Sequence, residues 1–319
     1  MAVEQLQPME LSDCEKIGLG ARRPEDVAVS ATGEVWLSDQ GSACARVDAD
    51  GSLFRRGTAG GAPNGINFDL EGRIVIANFG GPEDGRGPLQ RLDPVTGEVE
   101  VVCAEIEGRT LYGCNYPLTD STGRIWCSHS TWGPLRDAFA GRDDGSIFWV
   151  SPEGEVRIVA EGIRFANGIA MDEGEEHLYV CETTGCDVLQ YPIAADGSLG
   201  APKRYGPKLG LEVREVQDSR PLSAEVRSQL GVTDGCGFDA AGNLWVTLVM
   251  ANKVVAITPS GDVVTMLSDP EGGIMRSPTN VSWGGSDLQD LYIGSIATNY
   301  VLKVRTPIPG MPMAYQQGS

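Results

Sequence analysis

Six residues with oxygen-bearing side chains recur along the chain, each at the start of a stretch of alternating apolar residues. They are two acids and four asparagines, namely Glu25, Asn64, Asn115, Asn167, Asp234 and Asn280. Carboxylate and amide oxygens are hard ligands, which favour Ca²⁺, Mg²⁺ or Mn²⁺ over zinc. Two carboxylates held close together repel each other unless a cation lies between them. If the fold brings these side chains together, we therefore expect them to bind a divalent metal ion.

A local explanation also exists for each of these residues. Asn and Asp side chains hydrogen-bond to nearby backbone and so favour turns, including turns that lead into a strand. This explanation is sufficient for any one asparagine taken alone. It accounts less well for the whole set, because two acids stand in the same place as the amides.

Each polar residue opens a unit of the same design, as in “APNGINFDLEGRIVIAN” and “VTDGCGFDAAGNLWVTL”. An apolar strand is followed by a turn and then by a second strand. The second strand carries a large apolar residue eleven or twelve positions after the polar one, at Trp36, Val75, Trp126, Tyr179, Trp245 and Tyr292. In four units a turn glycine stands eight positions after the polar residue, at Gly33, Gly72, Gly123 and Gly242. Glycine supplies the positive φ that a tight hairpin needs.

Third and fourth strand-like runs follow each pair, and no long amphipathic helix interrupts them. Six repeats of four short antiparallel strands predict an all-β fold, a six-bladed β-propeller, in which only short sheet edges are exposed. A two-sheet sandwich is the alternative architecture, but it would not require the same polar residue in every unit. The last unit has only three strands, so we expect residues 14–20 to supply its fourth strand and close the ring. The whole chain, 1–319, is then expected to form one domain.

The innermost strand of every propeller blade lines the central channel. The six polar side chains would therefore point toward one axis at the same end of the molecule. This geometry favours the shared metal site over six unrelated turns.

Composition narrows the range of partners. The net charge of −19 disfavours nucleic acid and anionic membranes, which repel an acidic surface, so we expect neither as a partner. The N-terminal residues lack the features of a signal peptide, which predicts a cytoplasmic protein. The eight cysteines form no CxxC pair, and we expect free buried thiols rather than disulfides.

Four segments of the repeated units are specific enough to compare with known families, namely “PEDVAV”, “ANGIAMDEGEEHLYVCETTGCDVLQYPI”, “DGCGFDAAGNLWVT” and “SPTNVSWGGSDLQDLYIGS”. They resemble the SMP-30/gluconolactonase/LRE-like family, which includes regucalcin-type lactonases and is related in fold to diisopropylfluorophosphatase. It implies a metal-dependent hydrolase whose substrate is a small lactone or ester. It also implies a divalent metal cofactor, with Ca²⁺ as the first choice and Mn²⁺, Mg²⁺ or Zn²⁺ as alternatives.

By the same resemblance, Glu25, Asn167 and Asp234 match the direct metal ligands of the family. Asn115 matches an asparagine that either binds the metal or holds water or substrate. Asn64 and Asn280 share the repeated position and are expected to line the channel or contact the substrate.

The chain departs from the family pattern in its third unit. Regucalcin-like sugar lactonases have “R-x-N-D-G” there, whereas this chain has “GCNYPL”. Gly113 stands in place of the arginine, and Tyr116 and Pro117 replace Asp-Gly. We therefore expect a lactone with fewer hydroxyl groups than a sugar lactone, or a different ester.

Ester hydrolysis requires stabilisation of an oxyanion and activation of water, and a bound metal ion supplies both. Asp234 is the expected general base, with His129 as the alternative, and Asn115 completes the predicted catalytic pair. Two insertions, 128–145 and 206–231, are expected to form lids near the site. In the first of them, His129, Trp132 and Arg136 are expected to contact the substrate.

Two other functions remain open at this point. The same metal site could hydrolyse a phosphotriester. Alternatively, the propeller could bind a cation or a small ligand without catalysis, although a scaffold needs no carboxylates on its axis.

Overall fold

The computed structural model describes residues 6–80, 86–133, 142–216 and 221–317. These residues form twenty-six β-strands, numbered here in chain order. Within the described ranges, the only α-helix is the single turn α1 (Ala224–Arg227). Three short 3₁₀ turns accompany it at Leu11–Asp13, Val213–Glu215 and Ala314–Gln316.

The strands form six antiparallel four-stranded sheets, which are the blades of the propeller. The first strand along the chain, β1 (Glu15–Ile17), belongs to the last blade. The first blade comprises β2 (Val27–Val29), β3 (Val35–Ser38), β4 (Cys44–Val47) and β5 (Leu53–Arg56). The second comprises β6 (Pro63–Phe68), β7 (Ile74–Asn78), β8 (Leu89–Leu92) and β9 (Val99–Cys103). A two-stranded hairpin, β10 (Glu105–Ile106) and β11 (Arg109–Thr110), follows it.

The remaining blades repeat this arrangement. The third comprises β12 (Cys114–Thr119), β13 (Ile125–His129), β14 (Gly145–Val150) and β15 (Val156–Ile163). The fourth comprises β16 (Ala166–Met171), β17 (His177–Glu182), β18 (Asp187–Pro192) and β19 (Lys203–Arg204). The fifth comprises β20 (Thr233–Phe238), β21 (Leu244–Leu248), β22 (Lys253–Ile257) and β23 (Val263–Ser268). The sixth comprises β24 (Pro278–Gly284), β25 (Asp290–Ser295) and β26 (Val301–Arg305), with β1 as its outer strand.

The ring closes as predicted, because β1 pairs with β26 in antiparallel register. Glu15 lies opposite Lys303, and Ile17 lies opposite Val301. The predicted six-bladed propeller is therefore confirmed, with a closing strand shorter than the expected 14–20.

One cluster of buried apolar residues fills each of the six interfaces between neighbouring blades. The large residues of the second strands supply much of this packing, and Trp36, Trp126 and Trp245 are at most 1% exposed. Replacing such a tryptophan by alanine would cost about 3–5 kcal/mol. The indole nitrogens of Trp126 and Trp245 each donate to a turn aspartate six residues earlier, Asp120 at 2.8 Å and Asp239 at 2.9 Å.

The turn glycines and the cysteines behave as expected. The four glycines at the predicted hairpin turns have φ values from 81° to 87°. All eight cysteines are free, and seven of them are buried.

The C-terminal segment, which the repeat pattern did not predict, crosses the channel at the end of the inner strands. The amide of Met311 donates to the carbonyl of Phe238, the last residue of β20. Farther along, the ring of Tyr315 lies 5.3 Å from that of Phe68. The Gln316 side chain then donates to the carbonyl of Val29 at 3.0 Å. The segment thus contacts three inner strands at the end where each of them finishes.

Candidate functional site

A β-bulge at the start of five of the six inner strands positions the polar residues there. In the second blade Pro63 pairs with Asn78, but the next pair is Ile66 with Ile76. Three steps on β6 thus match two on β7, so one extra residue is inserted. The same register shift occurs in β12, β16, β20 and β24. Bulges redirect side chains and increase the local twist, which turns these residues toward the channel.

We call the first residue of each bulge the head residue, which lies two places before the next paired residue. The head residues of the second to fifth blades are Asn64, Asn115, Asn167 and Asp234. Glu25 has the same spacing in the first blade, since it lies two places before the paired Val27.

The sixth blade differs from the repeat alignment. Pro278 pairs with Ser295 and Val281 with Ile293, so Thr279 is the head residue and Asn280 is the second bulge residue. The assignment of Asn280 to the repeated position is therefore wrong by one place. The extra residue in each bulge makes the two positions hard to separate from sequence.

Glycine at the second bulge position lets neighbouring inner strands approach closely. A Cβ on Gly65 would lie 2.7 Å from the carbonyl oxygen of Asn115, and one on Gly168 would lie 2.5 Å from the Cα of Gly235. No side chain fits in such spaces. The close approach of these strands is what places head residues of adjacent blades near one another.

Hydroxyl groups on the second strands accept hydrogen bonds from backbone amides at the start of the inner strands. Ser38 accepts from the amide of Asp26, Ser128 from that of Tyr116, and Thr247 from that of Gly235, each at 3.0 Å. Side chains thus support the bulges of the third and fifth blades, and also the matching position of the first blade, where the strand pairing has no bulge.

The two acidic head residues are buried and act on each other electrostatically. Burial raises the pKa of Glu25 well above its usual value, and the charges of Asp234 and Asp26 raise it further. Burial also raises the pKa of Asp234, to about 8. Asn64 donates to one oxygen of Glu25 at 3.2 Å, while its other oxygen, Oε2, has no hydrogen-bond partner among the described residues.

The amide groups of two head residues are oriented by hydroxyl groups. Asn115 donates through Nδ2 to Ser130 at 3.0 Å, and Asn167 donates to Thr183 at 3.0 Å. Ser130 uses its own proton to donate to the carbonyl of Ala166 at 2.9 Å. Its oxygen must therefore accept from Asn115, which leaves the amide oxygen of Asn115 as the group available to a ligand.

Arg23 is a site residue that the sequence analysis did not identify. Its guanidinium donates to the carbonyl of Pro63 at 3.1 Å and to the side-chain oxygen of Asn64 at 2.7 Å. Its positive charge opposes the rise in the pKa values of Glu25 and Asp234. The sequence shows only that an arginine stands two places before Glu25, and this does not indicate where its side chain points.

A second polar layer lies directly below the head residues. Asn280 donates to Asp26 at 2.5 Å, and Asp26 also accepts from the amide of Ile66 at 2.7 Å. Burial raises the pKa of Asp26 to about 7. Asn280 therefore supports this layer, and its side-chain oxygen has no hydrogen-bond partner among the described residues.

The structure does not support His129 as a general base or substrate contact. The ring is completely buried, and its Nε2 accepts from the backbone amides of Tyr112 and Gly113 at 3.2 and 3.3 Å. Burial lowers the pKa of His129 to about 3, so the ring is neutral. With Nε2 occupied and the proton on Nδ1, the ring has no nitrogen free to accept a proton from water.

Trp132 packs beside this histidine, with the ring centroids 4.1 Å apart, and the Arg109 guanidinium lies 4.3 Å from the Trp132 ring. These contacts describe packing on the third blade. Arg136, also expected at the substrate, lies outside the described residues, as does the central part of the insertion 128–145.

The described part of the insertion 206–231 contacts the head end of the fourth blade. Arg164, three places before Asn167, forms ion pairs with Glu212 of the insertion at 3.3 Å and with Glu182 at 3.4 Å. The Ser223 hydroxyl in this insertion caps α1 by accepting a hydrogen bond from the amide of Val226. The helix itself has only one turn.

The donor set of the head residues fits a hard divalent cation. No group of three His, Cys, Asp or Glu side chains suited to a metal occurs in the parts of the chain described. The head residues instead combine two buried carboxylates with amide oxygens, which is an oxygen-only set. The unpartnered Oε2 of Glu25 and the oriented oxygen of Asn115 are groups that such an ion would satisfy. No helix in the described ranges is long and apolar enough to cross a bilayer.

Comparisons with known proteins identify the family of the chain. Residues 58–297 match the family model described as SMP-30/Gluconolactonase/LRE-like region. Among curated relatives, 6-deoxy-6-sulfogluconolactonase of Pseudomonas putida is 29% identical over 181 residues, 56% of this chain and 53% of the relative. Gluconolactonase of Zymomonas mobilis is 22% identical over 254 residues, 76% of this chain and 63% of the relative. The matched parts thus span about half to two thirds of these relatives.

Solved structures show the same fold. A luciferin-regenerating enzyme superposes with a TM-score of 0.71 at 19% identity, covering 94% of this chain and 98% of the other. A calcium-binding protein, regucalcin from Agrobacterium tumefaciens, superposes with a TM-score of 0.66 at 16% identity, covering 94% of both chains.

Proposed function

Because the chain belongs to the SMP-30/gluconolactonase/LRE-like family, we propose that it hydrolyses a lactone with the help of a bound divalent metal ion. The observation that carries the proposal is the pair of buried carboxylates, Glu25 and Asp234, at the heads of two inner strands. Each has a pKa raised first of all by burial. Such a pair is stabilised by a cation and has no evident purpose in a purely structural channel.

Four side chains would hold the ion: the carboxylates of Glu25 and Asp234 and the amide oxygens of Asn115 and Asn167. Ca²⁺ is the first candidate, because the donors are all hard oxygens and two carboxylates balance its charge. When bound, a divalent ion polarises an ester carbonyl and lowers the pKa of water.

Asp234 is the proposed general base. Burial raises the pKa of Asp234 in the metal-free protein, and the charge of a bound cation would favour the ionised carboxylate, which is the form that accepts a proton. It would accept the proton that the attacking water loses. Asn115, whose amide nitrogen is engaged by Ser130, would direct its oxygen at the ion or the water.

The substrate is proposed to carry fewer hydroxyl groups than a sugar lactone. Gly113 offers no side chain to bind a hydroxyl group. Tyr116 is buried, with only 7% of its surface exposed, so it belongs to the channel interior rather than to the pocket surface. Without polar groups at these positions, hydroxyl groups on the substrate would lose water without gaining partners.

The test is a panel of γ- and δ-lactones, assayed with EDTA and then with Ca²⁺, Mn²⁺, Mg²⁺ or Zn²⁺ restored. We expect hydrolysis that EDTA abolishes and Ca²⁺ restores, and a loss of at least about a hundredfold in D234N. The variant D50N, at an exposed turn, is the matched control. Ca²⁺ binding without hydrolysis of any lactone would instead indicate a cation-binding propeller, and hydrolysis of a phosphotriester alone would indicate a phosphotriesterase.

A further inference from the structure

Two phenylalanines from different blades meet at the head end of the channel. Phe79 directly follows β7, and its amide donates to the carbonyl of Ala62 at 2.8 Å, two places before Asn64. Phe165 lies two places before Asn167, and its carbonyl accepts from the amide of Thr183 at 3.1 Å. Both side chains therefore start beside head residues.

The rings lie 6.1 Å apart at an interplanar angle of 57°, which is a favourable aromatic contact. Phe79 belongs to the second blade and Phe165 to the fourth, so the third blade lies between them. The pair must therefore span the head end of β12, where Asn115 is placed. Both residues are only partly buried, so their rings keep some exposed surface.

The residues around the ring at the same level explain how this contact is possible. We call the residue two places before each head residue the rim residue. In blade order the rim residues are Arg23, Ala62, Gly113, Phe165, Val232 and Ser277. Five of them are uncharged and small or apolar. Gly113, in the blade between the two phenylalanines, has no side chain to separate the rings.

We propose that Phe79 and Phe165 form an apolar wall beside the metal ligands, which binds a hydrocarbon substituent on the lactone ring. The preferred substrate is then an alkyl- or aryl-substituted lactone. This inference rests on the proposed lactonase function. Its physical basis is that a hydrocarbon chain covers the exposed ring surfaces, whereas the hydroxyl groups of a sugar lactone would face them without hydrogen-bond partners.

The test compares kcat/KM for γ-decalactone, γ-butyrolactone and D-glucono-1,5-lactone in the presence of Ca²⁺. The wild-type protein is expected to prefer γ-decalactone to γ-butyrolactone by about tenfold or more. F165A and F79A should each reduce that ratio by about tenfold, and F165L by less, because leucine keeps part of the apolar surface. F54A, on the outer strand β5 of the first blade, should keep the wild-type ratio.

Unchanged ratios in active F165A and F79A, or a wild-type preference for D-glucono-1,5-lactone, would overturn the inference and leave the lactonase function standing. Absence of hydrolysis of all three lactones by the wild-type protein would overturn both. Thermal unfolding of each variant distinguishes loss of the apolar wall from loss of the fold. F165L is the milder change at this position, where the backbone has a φ of 63°.

Discussion

The hydroxyl group of Ser130 accepts a hydrogen bond of 3.0 Å from the amide nitrogen of Asn115, and it donates its own proton elsewhere. The orientation of this amide is thus determined by the residue that directly follows the neighbouring strand β13 of the same blade. Ser130 therefore decides which atom Asn115 presents to the channel.

We expect S130A to weaken Ca²⁺ binding by about tenfold, because the amide of Asn115 loses the partner that fixes its orientation. Isothermal titration calorimetry measures the affinity directly and does not depend on any substrate. S260A, at an exposed turn of the fifth blade, is the control. Equal affinities in S130A and the wild-type protein would show that Asn115 does not bind the ion.

Removal of the charge of Arg23 should have the opposite effect. The Arg23 guanidinium donates to Asn64, which in turn donates to Glu25. Its positive charge repels a cation bound at the carboxylates of Glu25 and Asp234. We expect R23Q to bind Ca²⁺ about fivefold more tightly, which corresponds to about 1 kcal/mol for charges several ångströms apart in a well-screened site.

R22Q is the matched control, since it removes the same charge from the exposed neighbouring residue. Weaker Ca²⁺ binding in R23Q than in R22Q would mean that Arg23 acts mainly by holding Asn64 in place.

The stability of the metal-free protein should fall as the pH rises. Asp234 has a pKa of about 8 in the folded protein, raised by burial, against about 3.9 for an unfolded aspartate. The folded state therefore binds the proton more tightly, and this stabilisation is complete below about pH 4 and lost as the pH rises to about 8.

Urea unfolding in EDTA at about pH 5 and pH 8 measures this loss, and D234N should show a smaller pH slope than the wild-type protein. Addition of Ca²⁺ at the higher pH should restore stability, because the ion binds the ionised carboxylates of the folded protein. Parallel slopes in D234N and the wild-type protein would contradict the assignment.

His129 should destabilise the protein in mild acid. Its pKa of about 3 in the folded state, lowered by burial, lies below the value of about 6.5 for an unfolded histidine. As the pH falls below about 6.5 the unfolded state gains a proton that the folded state cannot take up. We therefore expect the wild-type protein to lose about 2 kcal/mol of stability through this group between about pH 7 and pH 5.

The variant H129Q has no imidazole at this position and should not lose this stability. The difference in unfolding free energy between the wild-type protein and H129Q should therefore be about 2 kcal/mol smaller at about pH 5 than at about pH 7. H177Q, which keeps His129, is the reference for loss of a histidine. A constant difference across this pH range would show that the buried ring becomes protonated without cost.

The repeat alone was enough to predict the architecture. The spacing from each polar residue to its turn glycine and its large apolar residue is nearly constant, because every blade has the same hairpin and the same interface to fill. The closing strand could be predicted for a similar reason, since the last repeat was short by one strand. The C-terminal segment belongs to no repeat, and therefore no pattern indicated where it would lie.

The candidate site was predicted less completely. The register shift that moves Thr279 into the place assigned to Asn280 depends on how two strands pair, which a one-residue bulge hides in the sequence. Arg23 and the contact between Phe79 and Phe165 join blades that are far apart along the chain. His129 was given a chemical role because of its residue type, whereas its burial and its two backbone partners are properties of the folded protein.

The repeated bulge has a consequence for redesign of this protein. Every inner strand except that of the first blade has the same register shift at its head residue, whichever side chain stands there. Different coordinating side chains can therefore occupy the same position in different blades. Asn64 and Thr279 are two head residues that are not assigned to the ion. A new carboxylate introduced at Thr279 would alter the charge and selectivity of the pocket without requiring a new main-chain path.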